Sequence, residues 1–174
     1  SAAQPGTLPE PKMEHGMKPI AQWLDEYSVS HLNPVNKTLH WICIPPIVLS
    51  VIGLLRALPL GNDTFNAGSV GVVLMLAYYL LLSWRLALGA AVVLGIIYAL
   101  AEASFLSLGR LHVPAMIGVF VLAWIGQFVG HRVEGAKPSF FKDLQFLLIG
   151  PLWLLAFAYR RAGLAIEPAR PAHG

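Results

Sequence analysis

The stretch His31-Leu32-Asn33-Pro34-Val35-Asn36-Lys37-Thr38-Leu39-His40-Trp41-Ile42-Cys43-Ile44-Pro45-Pro46 sets two histidines, two asparagines and a lysine directly before the chain turns apolar. It contains a helix boundary. A residue preceding proline is pushed out of the right-handed helical region, so Asn33 is expected to cap a helix whose first position is Pro34, where a missing N–H costs nothing. That helix runs into about Trp41–Leu58, the first of five apolar spans, followed by about Gly68–Ser83, Leu86–Ser107, Val113–Gly130 and Leu144–Tyr159. A bilayer crossing takes roughly 20 apolar residues. The apolar run from Ala67 to Leu108 would measure about 60 Å as one helix, twice the hydrocarbon thickness, so Ser83-Trp84-Arg85 reads as a hairpin tip with Arg85 snorkelling.

Composition agrees with a bundle in lipid. Of 174 residues, 56% are hydrophobic and 12% charged, which describes an all-α integral membrane protein of about five transmembrane helices. The twelve Lys and Arg are scattered along the chain, which suits headgroup contact and excludes nucleic acid as the partner. Cys43 is the single cysteine, so neither an intrachain disulfide nor a multi-thiolate metal site is available. Residues 1–16 read as a tail, 17–160 as the helical membrane domain and 161–174 as a C-terminal tail, and no apolar segment of signal-peptide type precedes Lys18. Ahead of the first span, Ile20, Trp23, Leu24 and Tyr27 fall at i, i+3, i+4 and i+7, predicting a short amphipathic interfacial helix. In the third span Ala87, Ala91, Gly95, Ala99 and Ala103 form a small-residue stripe, expected to pack within the bundle, with oligomer formation as its alternative use.

Counting crossings decides which polar groups can meet. His31 and His40 precede the first span and His131 follows the fourth, so an even number of crossings returns His131 to their side. His112 and Glu102 fall on the opposite side, where Glu102 is expected as an interfacial carboxylate. On the five-span count Lys12, Lys18, Lys37, Arg85, Arg132, Lys137 and Lys142 share the N-terminal side, against Arg56, Arg110, Arg160, Arg161 and Arg170. That bias favours a cytoplasmic N-terminus and a cytoplasmic site.

Gln127, His131 and Glu134 lie at i, i+4 and i+7, on one helical face. His31 and His40 are nine apart, half a turn out of phase, and the break at Asn33-Pro34 is what lets both aim at one point. Three histidines with a nearby carboxylate suit a first-row divalent metal, and zinc and non-haem iron both fit. Glu134 serves either as a ligand or as a partner of one. Asn33, Asn36 and Gln127 are candidates for orienting the imidazoles.

The pattern Trp23-x-x-x-Tyr27, His31-x-Asn33-x-x-Asn36-x-x-x-His40, Pro45, then Gln127-Phe-x-Gly130-His131-x-x-Glu134-x-x-x-Pro138 resembles the small membrane-protein family of the fungal 2-hydroxy-fatty-acid dioxygenase of phytosphingosine breakdown. The likeness runs from about Met17 to Leu155, with His31, His40, His131 and Glu134 at the family's motif positions. It implies an Fe(II)-dependent enzyme of the endoplasmic reticulum or bacterial inner membrane that shortens 2-hydroxy fatty acids by one carbon with O₂, with Lys37 and Arg132 as the candidates for neutralising the substrate carboxylate. The chain departs from the family pattern in Pro138-Ser139, where a Pro-Ala pair is usual, and near Tyr159-Arg160-Arg161, where an acidic position has no counterpart. Two other readings compete. One is a zinc-dependent membrane lipid hydrolase with Glu134 as base. The other is a haem-binding electron carrier with two axial histidines.

Overall fold

The computed structural model describes residues 18–29, 31–135 and 140–166, with side chains of the last stretch described from residue 147 onward. Among these residues the chain is helical: α1 (Ile20–Val29), α2 (Pro34–Arg56), α3 (Ala67–Leu82), α4 (Trp84–Leu108), α5 (His112–Glu134) and α6 (Phe140–Arg161), with a 3-10 turn at Gly109–Leu111. Asn33 has extended backbone and its Oδ1 accepts the Val35 N–H at 2.8 Å, so α2 begins with Pro34 in its first turn. Between α3 and α4 one residue carries the reversal. Ser83, at φ −163° and ψ 111°, ends the first helix and caps the second. The Arg85 guanidinium lies 5.4 Å from the Trp84 ring at this tip.

α2 is the axis of the bundle, and α5 runs antiparallel along it. Gly130 meets Asn36 and Leu39, Gly126 meets Cys43, and Gly53 meets Met116 and His112. At the first two positions a Cβ would collide with the facing side chain, so glycine is what allows this closeness. α3 starts beside Ile52 and Arg56 and returns to Ser83, and α4 descends again until Glu102 reaches Arg56. The bundle therefore has two ends. His31, Ser83 and His131 share one; Arg56, Glu102 and His112 share the other.

Polarity is distributed inside out. His40, Asn36, Ser50, Asn66 and Gln127 are buried, whereas Leu74, Leu81, Val92, Leu100 and Leu122 face outward. Two stretches, Pro34–Arg56 and Trp84–Glu134, are long and apolar enough to cross a membrane; the second holds both α4 and α5, and Ala67–Leu82 is a shorter apolar helix. In water such an exterior would be costly, and in lipid it is the stable arrangement.

Two expectations need correction. α6 was expected to cross to the far end, but Tyr159 Oη donates to the Arg85 carbonyl at 3.0 Å and Ser83 Oγ donates to the Ile166 carbonyl at 2.9 Å. Its C-terminal end thus lies at the end where Glu134 left α5. The reason is compositional: Lys142, Asp143 and Gln145 occupy its first turns, leaving too short an apolar run. Second, the small-residue stripe is not the packing face of α4. Leu86, Ala87, Ala90, Leu94, Ile97 and Ala101 are buried, while Ala91, Gly95, Ala99 and Ala103 are exposed. Glu102, at the end opposite His31, accepts from Arg56 Nε at 2.6 Å and Nη2 at 2.9 Å. α1 buries Ile20, Leu24 and Tyr27, and Trp153 of α6 donates its Nε1–H to Ser28 Oγ at 2.9 Å.

Candidate metal centre

His31 lies in the turn between α1 and α2, His40 two turns into α2, and His131 in the last turn of α5. One ring nitrogen from each falls within 4.8 Å of the others, the group of this kind found among the described residues. Centroids of the His131 ring lie 5.5 Å from His31 and 5.0 Å from His40. The first two rings are 2% exposed.

Their tautomers follow from their partners. Nδ1 of His31 is 2.6 Å from the Tyr27 carbonyl, and Nδ1 of His40 is 2.9 Å from the Asn36 carbonyl. A carbonyl oxygen only accepts, so in each ring Nδ1 carries the hydrogen and Nε2 the lone pair. Those two Nε2 atoms face one another at 2.8 Å. Two lone pairs so placed repel unless a cation lies between them. Donors held about 2.1 Å from one ion in adjacent positions sit about 3 Å apart, so the spacing fits a shared metal. Burial, partly offset by the Tyr27 carbonyl, lowers the His31 pKa to about 4, with His131 and Lys37 adding to the lowering. His31 is therefore neutral at pH 7, the form that ligates metal.

Aromatic walls fix the rings. Tyr27 stacks on His31 with centroids 4.2 Å apart and planes 3° from parallel, and Trp153 lies 5.5 Å from the same imidazole. Trp153, 122 positions along the chain from His31, has no signal in the sequence that would place it there.

Glu134, expected either as a ligand or as a partner of one, is engaged by the His31 turn and Asn36. Its Oε1 accepts the Leu32 N–H at 2.9 Å, and its Oε2 accepts the Asn33 N–H at 2.9 Å and Asn36 Nδ2 at 3.0 Å. These donors clamp the His31 turn to the end of α5. Asn33, also a candidate for orienting an imidazole, caps α2 as its place before Pro34 predicts. Asn36 supports His40 through its backbone carbonyl and Glu134 through its side chain. Gln127 is buried one turn before His131, and its Oε1 has no hydrogen-bond partner among the described residues. His112 stands apart, bound to the Gly53 carbonyl at 2.9 Å and to Ser104 Oγ at 3.0 Å.

A cleft of about 400 Å³ opens beside His31, between α1, α2 and α6. Lys37 lines it and Arg132 does not; Arg160, which the crossing count had sent to the opposite side, does.

The family model described as 2-hydroxy-palmitic acid dioxygenase Mpo1-like matches residues 17–162. The chain is also similar to the 2-hydroxy-palmitic acid dioxygenase MPO1 of Saccharomyces cerevisiae, with 30% identity over 146 residues covering 82% of this chain and 81% of the yeast protein. No solved structure matches. With all three histidines and the glutamate inside the matched segment, the chain belongs to the 2-hydroxy-palmitic acid dioxygenase Mpo1-like family.

Proposed function

We propose that this protein is an Fe(II)-dependent membrane dioxygenase that shortens 2-hydroxy fatty acids by one carbon with O₂. The observation that carries the reading is the facing pair of buried Nε2 lone pairs, His31 and His40, with His131 beside them. These three residues would hold the iron, which when bound supplies a template and redox centre for substrate and oxygen. The Tyr27 and Asn36 carbonyls fix which nitrogen of each ring faces the site. Glu134 acts as a positioning residue, holding the His31 turn against α5 through two backbone amides and Asn36. Tyr27 and Trp153 keep water from the back of His31.

Two competing readings lose support from the same geometry. Axial ligands on opposite sides of a haem iron would stand about 4 Å apart with the porphyrin between them, and 2.8 Å leaves no such gap. The hydrolase reading requires Glu134 free to act as base, and its oxygens are occupied.

We read the fold as four crossings, α2 to α5, with α1 and α6 both at the site end. Among the described residues Lys18, Lys37, Arg85, Arg132, Arg160 and Arg161 then lie at that end, against Arg56 and Arg110 at the other, which favours a cytoplasmic site in a bacterial inner membrane or the endoplasmic reticulum. The test is oxygen uptake by the detergent-purified, Fe(II)-loaded protein with 2-hydroxypalmitate, with product analysis by mass spectrometry. Uptake with release of a fatty acid one carbon shorter is expected. No uptake with iron bound, or hydrolysis with zinc bound, would refute the assignment.

A further inference from the structure

The cleft beside His31 has two unlike parts. Lys37 and Arg160 reach it from α2 and α6, both exposed and without an ion-pair partner among the described residues, and its lining contains no carboxylate. The rest of the wall is largely apolar, with Leu24, Trp41, Trp153 and Phe157. Trp41 also lines a second hollow, of about 160 Å³, between α2, α4 and α6. That hollow is apolar, walled by Ile44, Val48, Leu94, Ile97 and Ala158, and reaches the exterior at Pro45 and Val93. Trp41 meets Phe157 edge to face at 5.6 Å, so this pair stands where the two spaces adjoin.

We propose that Lys37 and Arg160 bind the carboxylate of the substrate in the cleft beside His31, and that the acyl chain passes the Trp41–Phe157 pair into the apolar groove between α2, α4 and α6. The assignment rests on the dioxygenase reading for the identity of the acid. Charge and polarity select the occupant. An anion with a long apolar tail satisfies both spaces at once: two unopposed cations meet the head, and an unbranched chain fills a groove without polar partners. Arg160 presents a planar fork that suits a carboxylate, while Lys37 adds a point charge. The groove parallels α2 from Trp41 to Val48, about 10 Å of helix, and its opening at Pro45 and Val93 admits the chain sideways from lipid.

Binding is measured by quenching of tryptophan fluorescence, since Trp41 and Trp153 both line the cleft, on Fe(II)-loaded and metal-free protein. The probes are 2-hydroxypalmitate, its methyl ester and 2-hydroxyoctanoate. Arg160→Gln and Lys37→Gln should each weaken 2-hydroxypalmitate about tenfold, the worth of one charge-assisted contact, and leave the ester unaffected. Their KM should rise by the same factor with kcat and iron content held. Ala158→Phe, at an exposed groove position, should turn the preference toward 2-hydroxyoctanoate. Equal affinity for acid and ester, unchanged KM in both cation variants, or displacement of the acid by phosphatidylglycerol at equal concentration would overturn the assignment. Loss of binding in the variants without any turnover by the parent protein would leave the cleft standing and remove the dioxygenase reading instead.

Discussion

Replacing Glu134 with alanine removes one acceptor group that serves three donors: the Leu32 and Asn33 amides and Asn36 Nδ2. Each hydrogen bond to a charged acceptor is worth about 1.5–3 kcal/mol when sheltered. Glu134 is only half-buried and water replaces part of what is lost, so the expected destabilisation is about 2–3 kcal/mol for the three together. The turn it releases carries His31, so the effect extends to the metal. An outer partner of a ligand ordinarily changes metal affinity by about 10–100-fold, whereas losing a ligand is more severe. Anaerobic Fe(II) titration and thermal unfolding of the same detergent samples measure both quantities. Glu134→Ala should bind iron 10–100-fold more weakly and unfold earlier, and Glu134→Gln should fall between it and the parent, because its amide keeps one acceptor oxygen but sets an NH₂ against the same donors. Complete loss of iron with unchanged unfolding would make Glu134 a ligand and refute the clamp; no change in either quantity would refute both roles.

Other consequences are as direct. Gly130→Ala drives a Cβ into Asn36 Oδ1, and the overpacking should cost about 1–3 kcal/mol while lowering iron occupancy, because Asn36 carries both His40 and Glu134; thermal unfolding and metal analysis read it. The metal-free protein should lose stability in acid. The unfolded chain binds a proton at His31 near pH 6.5 and the folded chain only near 4, so the contribution is full above 6.5 and is lost as pH falls through that window, by about 3 kcal/mol at most; urea unfolding at pH 7 and pH 4.5 measures it. Glu102→Gln weakens the grip on Arg56, whose side chain is 7% exposed, and should cost roughly 2–3 kcal/mol with iron binding intact, since this pair sits at the opposite end of the bundle.

Much of this arrangement is local and therefore readable from the chain. The Asn33-Pro34 boundary follows from proline sterics, and the Ser83 reversal follows from the length of hydrocarbon one helix can cross. Crossing parity brought His31, His40 and His131 to one end and sent His112 away, which is where each lies. Partners made by backbone atoms are harder to foresee. Neither the carbonyls that orient His31 and His40 nor the amides that take Glu134 have a residue-type signature. Arg160 was misplaced because hydrophobicity alone does not separate a crossing from a helix that returns, and the error hid the second cation of the cleft. The stripe on α4 failed for another reason: small residues permit close approach and do not compel it, and the larger Leu86, Leu94 and Ile97 occupy the buried face.

The central claim is that three imidazoles hold one iron. Iron per chain, determined by mass spectrometry on anaerobically purified protein beside His40→Ala and His131→Ala, tests it most directly. One iron in the parent and its loss from both variants, with the helical signal retained, is the predicted result; equal metal in all three proteins, or none in the folded parent after Fe(II) loading, would contradict it.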